Sequence, residues 1–213
     1  MTPTERLAPM SMASAPQQDS RSEIRRRLRA QRRALRGSAR RDAQKRLTRV
    51  LARLPAYRRA RNLAVYFGID GEVELDAVIT DALQRRKRVF VPVLAPRGLR
   101  FTEIPKDGAL RPNRYGIPEP RDGRRLAPSR LDLVLTPLVA FDRRGTRLGM
   151  GKAYYDRTFE FLIRRTRWIR PKLIGVAFAF QEQALICAEP WDVRLWAVVT
   201  ELGTIPCRAA STT

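Results

Sequence analysis

Residues 136–157 hold most of the groups in this chain that could handle a phosphate. The run reads Thr136-Pro137-Leu138-Val139-Ala140-Phe141-Asp142-Arg143-Arg144-Gly145-Thr146-Arg147-Leu148-Gly149-Met150-Gly151-Lys152-Ala153-Tyr154-Tyr155-Asp156-Arg157. Its glycines let backbone amides converge on an anion, and Arg147 and Lys152 bracket the turn with two fixed charges. An apolar run at 131–135 leads in as a buried strand. Phe159, Leu162 and Ile163 share one face of a helix leading out. Strand, glycine-rich turn and helix start together make an anion site, and the helix adds the positive end of its dipole. A glycine turn ordered only for packing explains the glycines taken alone. It leaves Arg147, Lys152 and the Tyr-Tyr-Asp triplet without a reason.

Two common phosphate motifs do not fit. A P-loop has four residues between its first glycine and the Gly-Lys pair, then Ser or Thr for magnesium. Here five residues separate Gly145 from Gly151, and Ala153 follows Lys152. A dinucleotide fingerprint would place glycine where Tyr154 stands. Phe141-Asp142, Gly145, Arg147-Leu148-Gly149, Gly151 and Tyr154-Tyr155-Asp156-Arg157 instead resemble, position by position, the signature of the 5-formyltetrahydrofolate cyclo-ligase family, also called methenyltetrahydrofolate synthetases. That family has glycine where this chain has Ala153, whose methyl group restricts the backbone. The resemblance runs over residues 21–205.

It implies ATP-dependent cyclisation of 5-formyltetrahydrofolate to 5,10-methenyltetrahydrofolate, with release of ADP and phosphate. An amide-like formyl oxygen is a poor leaving group, so the γ-phosphoryl group is transferred onto it. N10 then attacks the activated carbon and phosphate departs. Such a transfer asks a protein for positioning and charge neutralisation more than for covalent chemistry. By the resemblance, Arg147, Lys152 and Tyr154 are the catalytic groups. The same likeness gives ATP to Arg21, Arg25 and the run Arg147, Leu148, Gly149, Met150, Gly151, Lys152, Ala153, Tyr154 and Tyr155. Arg21 and Arg25 stand where the family opens with Lys-x-x-x-Arg, so arginine replaces the lysine. The pterin of folate falls to Glu72, with Phe67 packed on the ring and Tyr154 beside it. Mg2+ accompanies ATP, with Asp156 and Asp192 as its ligands; Trp196 replaces a family acidic residue four positions after Asp192. Gly116-Ile117-Pro118-Glu119-Pro120 is similar to a family Gly-Ile-x-Glu-Pro, and an ordered loop near the site is expected there. On residue type alone, Tyr154 and Tyr155 suit a core as well as a pocket. Glu72 likewise suits a helix N-terminus, where the dipole favours a carboxylate.

The elements that must position these groups alternate between strand and helix. That order predicts an α/β fold: a three-layer, open, mixed and largely parallel sheet with helices on both faces, Rossmann-like. Ser22 is the expected cap of a first helix with Ile24, Leu28, Gln31 and Leu35 inward and arginines outside, ended by Gly37. A second helix spans about 39–54, with Ala43, Leu47, Val50, Leu51 and Leu54 at helical spacing and Pro55 closing it. Residues 63–67 read as a strand. After the turn at 68–71, Glu72 enters a helix with Val78, Ile79 and Leu83 inward. A strand at 89–94 holds Pro92, which suggests a bulge or an edge, and 99–104 is its hairpin partner. Residues 173–178 form a further strand, Gln181 opens a polar connection, and 197–200 is the last strand. The expected organisation is a disordered tail at 1–20, one domain at 21–206 and a short tail at 207–213.

Over 213 residues, 43 Lys+Arg against 21 Asp+Glu leave a net charge of +22. Such basicity suits nucleotides, polyglutamylated small molecules or nucleic acid, and compositional bias also produces it. The arginine-rich first helix is a solvated face, a nucleic-acid surface or, by the resemblance, the arm that reaches nucleotide phosphates. The run has almost no lysine or aromatic residue, so no base-stacking platform is visible. The chain has no histidine, which removes His triads and His metal sites. Cys187 and Cys207 are too few for a disulfide framework or a zinc site. No apolar run approaches the roughly 18 residues of a membrane span, and the first twenty residues lack a signal-type apolar stretch. The expected partners are a reduced folate and ATP, with no specific nucleic acid and no membrane, for a cytoplasmic monomer. Two rivals stand beside this reading: a catalytically altered paralogue, motivated by Ala153, Trp196 and the missing lysine, and a basic nucleic-acid-binding protein.

Overall fold

The computed structural model describes residues 19–105, 110–113, 116–165 and 170–207. In chain order the elements are α1 (Arg21–Ala34), α2 (Gly37–Arg53), α3 (Pro55–Arg59), β1 (Asn62–Ala64), α4 (Asp76–Gln84), β2 (Arg88–Ala95) and β3 (Gly98–Glu103). There follow β4 (Leu110–Pro112), β5 (Pro118–Pro120), β6 (Arg125–Leu126), β7 (Leu133–Pro137), β8 (Ala140–Phe141) and β9 (Arg147–Leu148). The last are α5 (Tyr154–Phe159), β10 (Lys172–Val176), β11 (Ala197–Thr200) and β12 (Gly203–Pro206).

Among the described residues, eight strands form one sheet in the order β12-β11-β10-β7-β1-β2-β3-β6. The strands from β11 to β2 in that order are parallel, while β12 and β3 run against them and β6 pairs antiparallel with β3 at the margin. Parallel strands covered on both faces read as continuous Val/Ile/Leu runs, and all of β11 and most of β7 are buried. On one face α2, α3 and α4 lay Leu47, Leu51, Tyr57 and Val78 over Leu63, Val91, Leu135 and Ile174. On the other, Phe159 of α5 packs among Phe90, Phe101, Leu173 and Val198. The expected three-layer mixed sheet is therefore the observed one. Helix α1 stands apart from both layers: Ile24 and Leu28 close over Val139, Ala140, Leu148 and Ile186. This places α1 against the β8–β9 hairpin rather than on the sheet.

Several local expectations need correction. The cap of α1 is Ser20, not Ser22, and Glu23 completes a capping box with it. The inward stripe at i, i+4 spacing is Ile24, Leu28 and Arg32, so Gln31 is exposed and a charged residue is buried in its stead. The helix ends at Ala34 with Leu35 as C-cap, and Gly37, with φ +64°, opens α2 rather than stopping α1. Pairing in β1 covers only residues 62–64. Glu72 lies in the loop before α4, not in its first turn, because the helix begins at Asp76. Val78 and Ala82 set the inward stripe of α4, which leaves Leu83 49% exposed. Ile163 is 51% exposed because α5 ends at Phe159 in a 3-10 turn that rotates later residues outward. A further strand, β12, follows 197–200 as an antiparallel edge.

Pro92 lies within an interior strand at the point where its ladder to β1 ends. The Val65 amide still donates to the Phe90 carbonyl at 2.9 Å, and the next position of β2 on that side, 92, has no amide to give. Two residues on, the Leu94 amide on the same side is accepted by the Glu119 carboxylate at 3.3 Å. The tail expectations for 1–18 and 208–213 fall outside the described residues.

Candidate active site

The strand order reverses between β1 and β7: β2 lies on one side of β1, while β7 continues to β10 and β11 on the other. Open α/β sheets bind ligands in the crevice outside the carboxyl ends of strands at such a switch point. A cavity of about 360 Å³ opens there, lined by Tyr66 and Phe67 beyond β1, Pro92 and Leu94 of β2, and Pro137 and Leu138 at the end of β7. Glu72 enters from the turn after β1. Met150, Lys152, Tyr154 and Asp156 enter from the opposite loop and α5. Asn113, Ile117 and Glu119 close a further side, so the described part of the 113–120 loop is ordered against the site as expected. Residues 114 and 115 lie outside the described residues.

The glycine-rich stretch is not one turn. Residues 140–148 form the β8–β9 hairpin, organised by the buried carboxylate of Asp142. Its Oδ1 accepts the amides of Arg144 and Thr146, both at 3.0 Å, and Oδ2 accepts that of Ile186 at 3.1 Å. Gly145 has φ +84°, and a Cβ there would meet the Leu195 carbonyl at 2.7 Å, so glycine is required by packing. Arg147 therefore sits in a strand and is buried instead of bracketing an open turn. Its guanidinium donates to the Val193 carbonyl and, at 2.7 Å, to Asp156 Oδ1. Burial lowers its pKa, against the attraction of Asp156 and Asp192. Leu148 is wholly buried under α1 and presents no side chain to the cavity.

The open part of the motif is the short loop from Gly149 to Ala153. Gly151 has φ +94°, and nothing lies within 4 Å of a Cβ built on it or on Gly149. The loop backbone is thus accessible to a ligand. Lys152 is exposed, and no ion pair engages it among the described residues. Arg25 donates from Nε to the Gly149 carbonyl at 2.9 Å, which ties α1 to this loop. One turn earlier, Arg21 pairs with Asp192 at 3.1 Å and reaches Glu189 at 3.6 Å. Tyr154 and Tyr155 both line the cavity, Tyr154 under the Arg157 guanidinium and Tyr155 stacked on Phe159. Burial raises the Tyr155 pKa.

Glu72 is 6% exposed, and Oε2 accepts the Ile69 amide at 3.2 Å. Burial pushes its pKa up to about 7, against the pull of Arg32, whose Nη1 stands 3.8 Å from Oε1. Asp70, two residues earlier, receives Arg29, Arg32 and Arg33. Phe67 is half-buried at the cavity wall beside them.

The expected site residues thus fall into two groups. Phe67, Glu72, Arg147, Gly149, Met150, Lys152, Ala153, Tyr154, Tyr155 and Asp156 meet at one cavity. Arg21, Arg25, Leu148, Gly151 and Asp192 surround it without lining it. No cluster of three or more metal-ligating side chains occurs among the described residues. Asp156 and Asp192 each use one oxygen in the contacts above and keep a second, Oδ2 and Oδ1 respectively. That donor set suits Mg2+, which takes one or two carboxylates and completes its shell with water and phosphate oxygens. Trp196 lies at the amino-terminal edge of β10 and β11, under Lys172, at the end of the sheet away from the cavity.

Arg32, Tyr66 and Gln181 are additions that composition did not single out. Arg32 falls on the i+4 stripe after Ile24 and Leu28, which was the available signal. Tyr66 is buried at the cavity, and its hydroxyl has no hydrogen-bond partner among the described residues. Gln181 is buried rather than opening a polar connection, and its Nε2 donates to the carbonyls of Leu138 and Val139.

The model of the 5-formyltetrahydrofolate cyclo-ligase family matches residues 17–201. A 5-formyltetrahydrofolate cyclo-ligase of Haemophilus influenzae is 38% identical over 149 residues, 67% of this chain and 76% of that one. One of Escherichia coli is 36% identical over 180 residues, 81% and 96% of the two chains. The NMR structure of Aquifex aeolicus 5,10-methenyltetrahydrofolate synthetase matches with a TM-score of 0.77 at 29% identity, covering 91% of this chain and 95% of that one. Among the described residues no helix is long and apolar enough to cross a membrane.

Proposed function

Since the chain belongs to the 5-formyltetrahydrofolate cyclo-ligase family and has that ATP-dependent ligase activity, we propose how its residues divide the work. The observation that carries the proposal is the convergence of Glu72 and Lys152 on one cavity of about 360 Å³. The pterin enters between Phe67 and Tyr154, and the Glu72 carboxylate accepts hydrogen bonds from its N–H edge. The ATP phosphates lie along Gly149, Met150, Gly151 and Lys152, where backbone amides and the lysine meet the γ-phosphoryl group. Arg147 contributes charge from within the wall and holds Asp156 against the loop at Val193. Arg21 and Arg25 approach the same phosphates from α1.

The formyl oxygen attacks the γ-phosphorus, and ADP leaves with its bonding electrons. N10 then attacks the activated carbon and releases its proton to water, and expulsion of phosphate restores the iminium of the 5,10-methenyl product. Lys152 neutralises charge on the transferred group, and Tyr154 keeps the two substrates in register. Apolar walls at Leu94, Ile117 and Leu138 exclude water from the intermediate. Mg2+, held by Asp156 with Asp192 behind it, would supply charge neutralisation at the phosphates. We place this monomer in the cytoplasm, a reading that rests on a chain with only two cysteines.

The test is the absorbance of the methenyl product on mixing protein with 5-formyltetrahydrofolate and Mg-ATP. An ATP-dependent signal is expected. Lys152→Ala should lower turnover on the order of 10²-fold, the usual loss of one transition-state donor, with an unchanged melting temperature. A fully active variant would remove Lys152 from the mechanism.

A further inference from the structure

We infer that Arg32 is a positioning residue for folate recognition, locking the turn that bears Glu72 onto the end of β7 and so aiming the carboxylate into the cavity. The inference rests on the reading above that Glu72 contacts the pterin.

The guanidinium of Arg32 is 1% exposed. Its Nε donates to the Asp70 carbonyl at 2.9 Å, Nη1 to the Leu138 carbonyl at 3.2 Å, and Nη2 to Asp70 Oδ2 at 3.2 Å. One flat group therefore joins three parts of the site: α1, the turn after β1 and the segment after β7. The turn depends on this grip. Asp70 has φ +52° and Gly71 φ +76°, and a Cβ on Gly71 would meet the Arg32 carbonyl oxygen at 3.2 Å. Burying a guanidinium is costly unless its geometry is met throughout. A helix bound by apolar packing alone would be served better by leucine at this position. The fork geometry of arginine, which lysine lacks, is what the two carbonyls and the carboxylate use.

The same group sets the charge around Glu72. Arg29 and Arg32 face it from α1, Asp70 from its own turn, Tyr66 from beyond the end of β1 and Tyr155 from α5. Arg40 of α2 reaches only the Glu72 backbone carbonyl. Arg32 is the ion-pair partner of the Glu72 carboxylate among the described residues. Asp70 keeps Arg29 and Arg33 if Arg32 is lost, whereas Glu72 keeps no partner at that distance. Without Arg32 the buried carboxyl holds its proton to higher pH, and a protonated carboxyl is a poor acceptor for the N–H groups of a pterin.

The experiment measures KM for 5-formyltetrahydrofolate against pH in the wild type, Arg32→Met, Arg32→Lys and Glu72→Gln, with KM for ATP as control. In Arg32→Met the pH at which folate affinity is lost should move upward by about one unit or more, a weakening of roughly fivefold or more at neutral pH. Arg32→Lys keeps the charge but not the fork. Its KM for folate should rise several-fold while the pH limb stays near that of the wild type. A folded Arg32→Met with an unmoved limb overturns the inference. So does Arg32→Lys with a wild-type KM, which decides the matter if the methionine variant does not fold. Glu72→Gln separates the two layers of argument: if it leaves the folate KM and its pH limb unchanged, the reading of Glu72 itself fails, whatever Arg32 does.

Discussion

Ala153 holds φ +48° and ψ +28°, between the exposed Lys152 and the first turn of α5. An L-residue in this left-handed region carries a strain on the order of 1 kcal/mol, which glycine avoids. The strain lies in the loop that orients the lysine, without closing the cavity. Ala153→Gly should therefore raise the melting temperature by ~2–4 °C and leave the KM for ATP in place; a lower melting temperature would show that the methyl packs usefully. Glu72 stores a different kind of cost. Burial lifts its pKa from 4.5 to about 7, with Arg32 opposing. The folded state thus keeps a proton that the unfolded chain releases, and folding loses stability as pH climbs through that window. At 1.36 kcal/mol per unit the loss approaches about 3 kcal/mol above pH 7. Glu72→Gln has no such proton. Urea denaturation from pH 4 to 8 should show the wild type losing ground to the variant across the window and holding level outside it. A difference constant with pH would refute the assignment.

The β8–β9 hairpin turns a run of polar and glycine residues into a brace for the site. Asp142 accepts three amides and so fixes the register that buries Arg147 under Asp156 and Val193. Asp142→Asn puts an amide donor against at least one of those donors and leaves a buried group unsatisfied, a loss of roughly 2–3 kcal/mol. Thermal denaturation should read that loss directly. Because Arg147 loses its register, the KM for ATP should rise as well, and a variant destabilised without any kinetic change would confine Asp142 to packing. The hairpin also marks where reading by pattern stops. Strands of two residues leave no periodicity, so Phe141-Asp142-Arg143-Arg144-Gly145-Thr146-Arg147 is legible as a glycine turn but not as a ladder. The central strands were legible because burial on both faces demands continuous Val, Ile and Leu. β12 was not, since Gly203-Thr204-Ile205-Pro206 offers one apolar residue on an open edge. Glu72, Lys152 and the tyrosines could be named from their resemblance to a family signature. Arg32 offered only its place on the i+4 stripe after Ile24 and Leu28, and in a helix so rich in arginine a buried guanidinium looks like its solvated neighbours until Asp70 and Leu138 are seen to receive it.

At the scale of the whole molecule the excess of 22 positive charges is not spread evenly in effect. The inward arginines of α1 are met by Asp70 and Asp192, which turns part of the excess into structure. Lys152 and the arginines without carboxylate partners remain to act on solutes. ATP and a reduced folate are both anions, so a positive field raises their encounter rate and leaves the bound complex largely alone. Steering of this kind is screened over roughly 8–10 Å at physiological salt. Raising ionic strength from about 20 to about 300 mM should thus lower kcat/KM for both substrates several-fold while kcat stays constant. The same field attracts RNA without reading it. Any RNA retained at low salt should leave with the steep log-log dependence of counterion release and show no sequence preference. A kcat/KM indifferent to salt would mean that the excess charge does not serve catalysis. Salt-resistant, sequence-selective RNA binding would give α1 a second task that its ties to Gly149 and Asp70 do not explain.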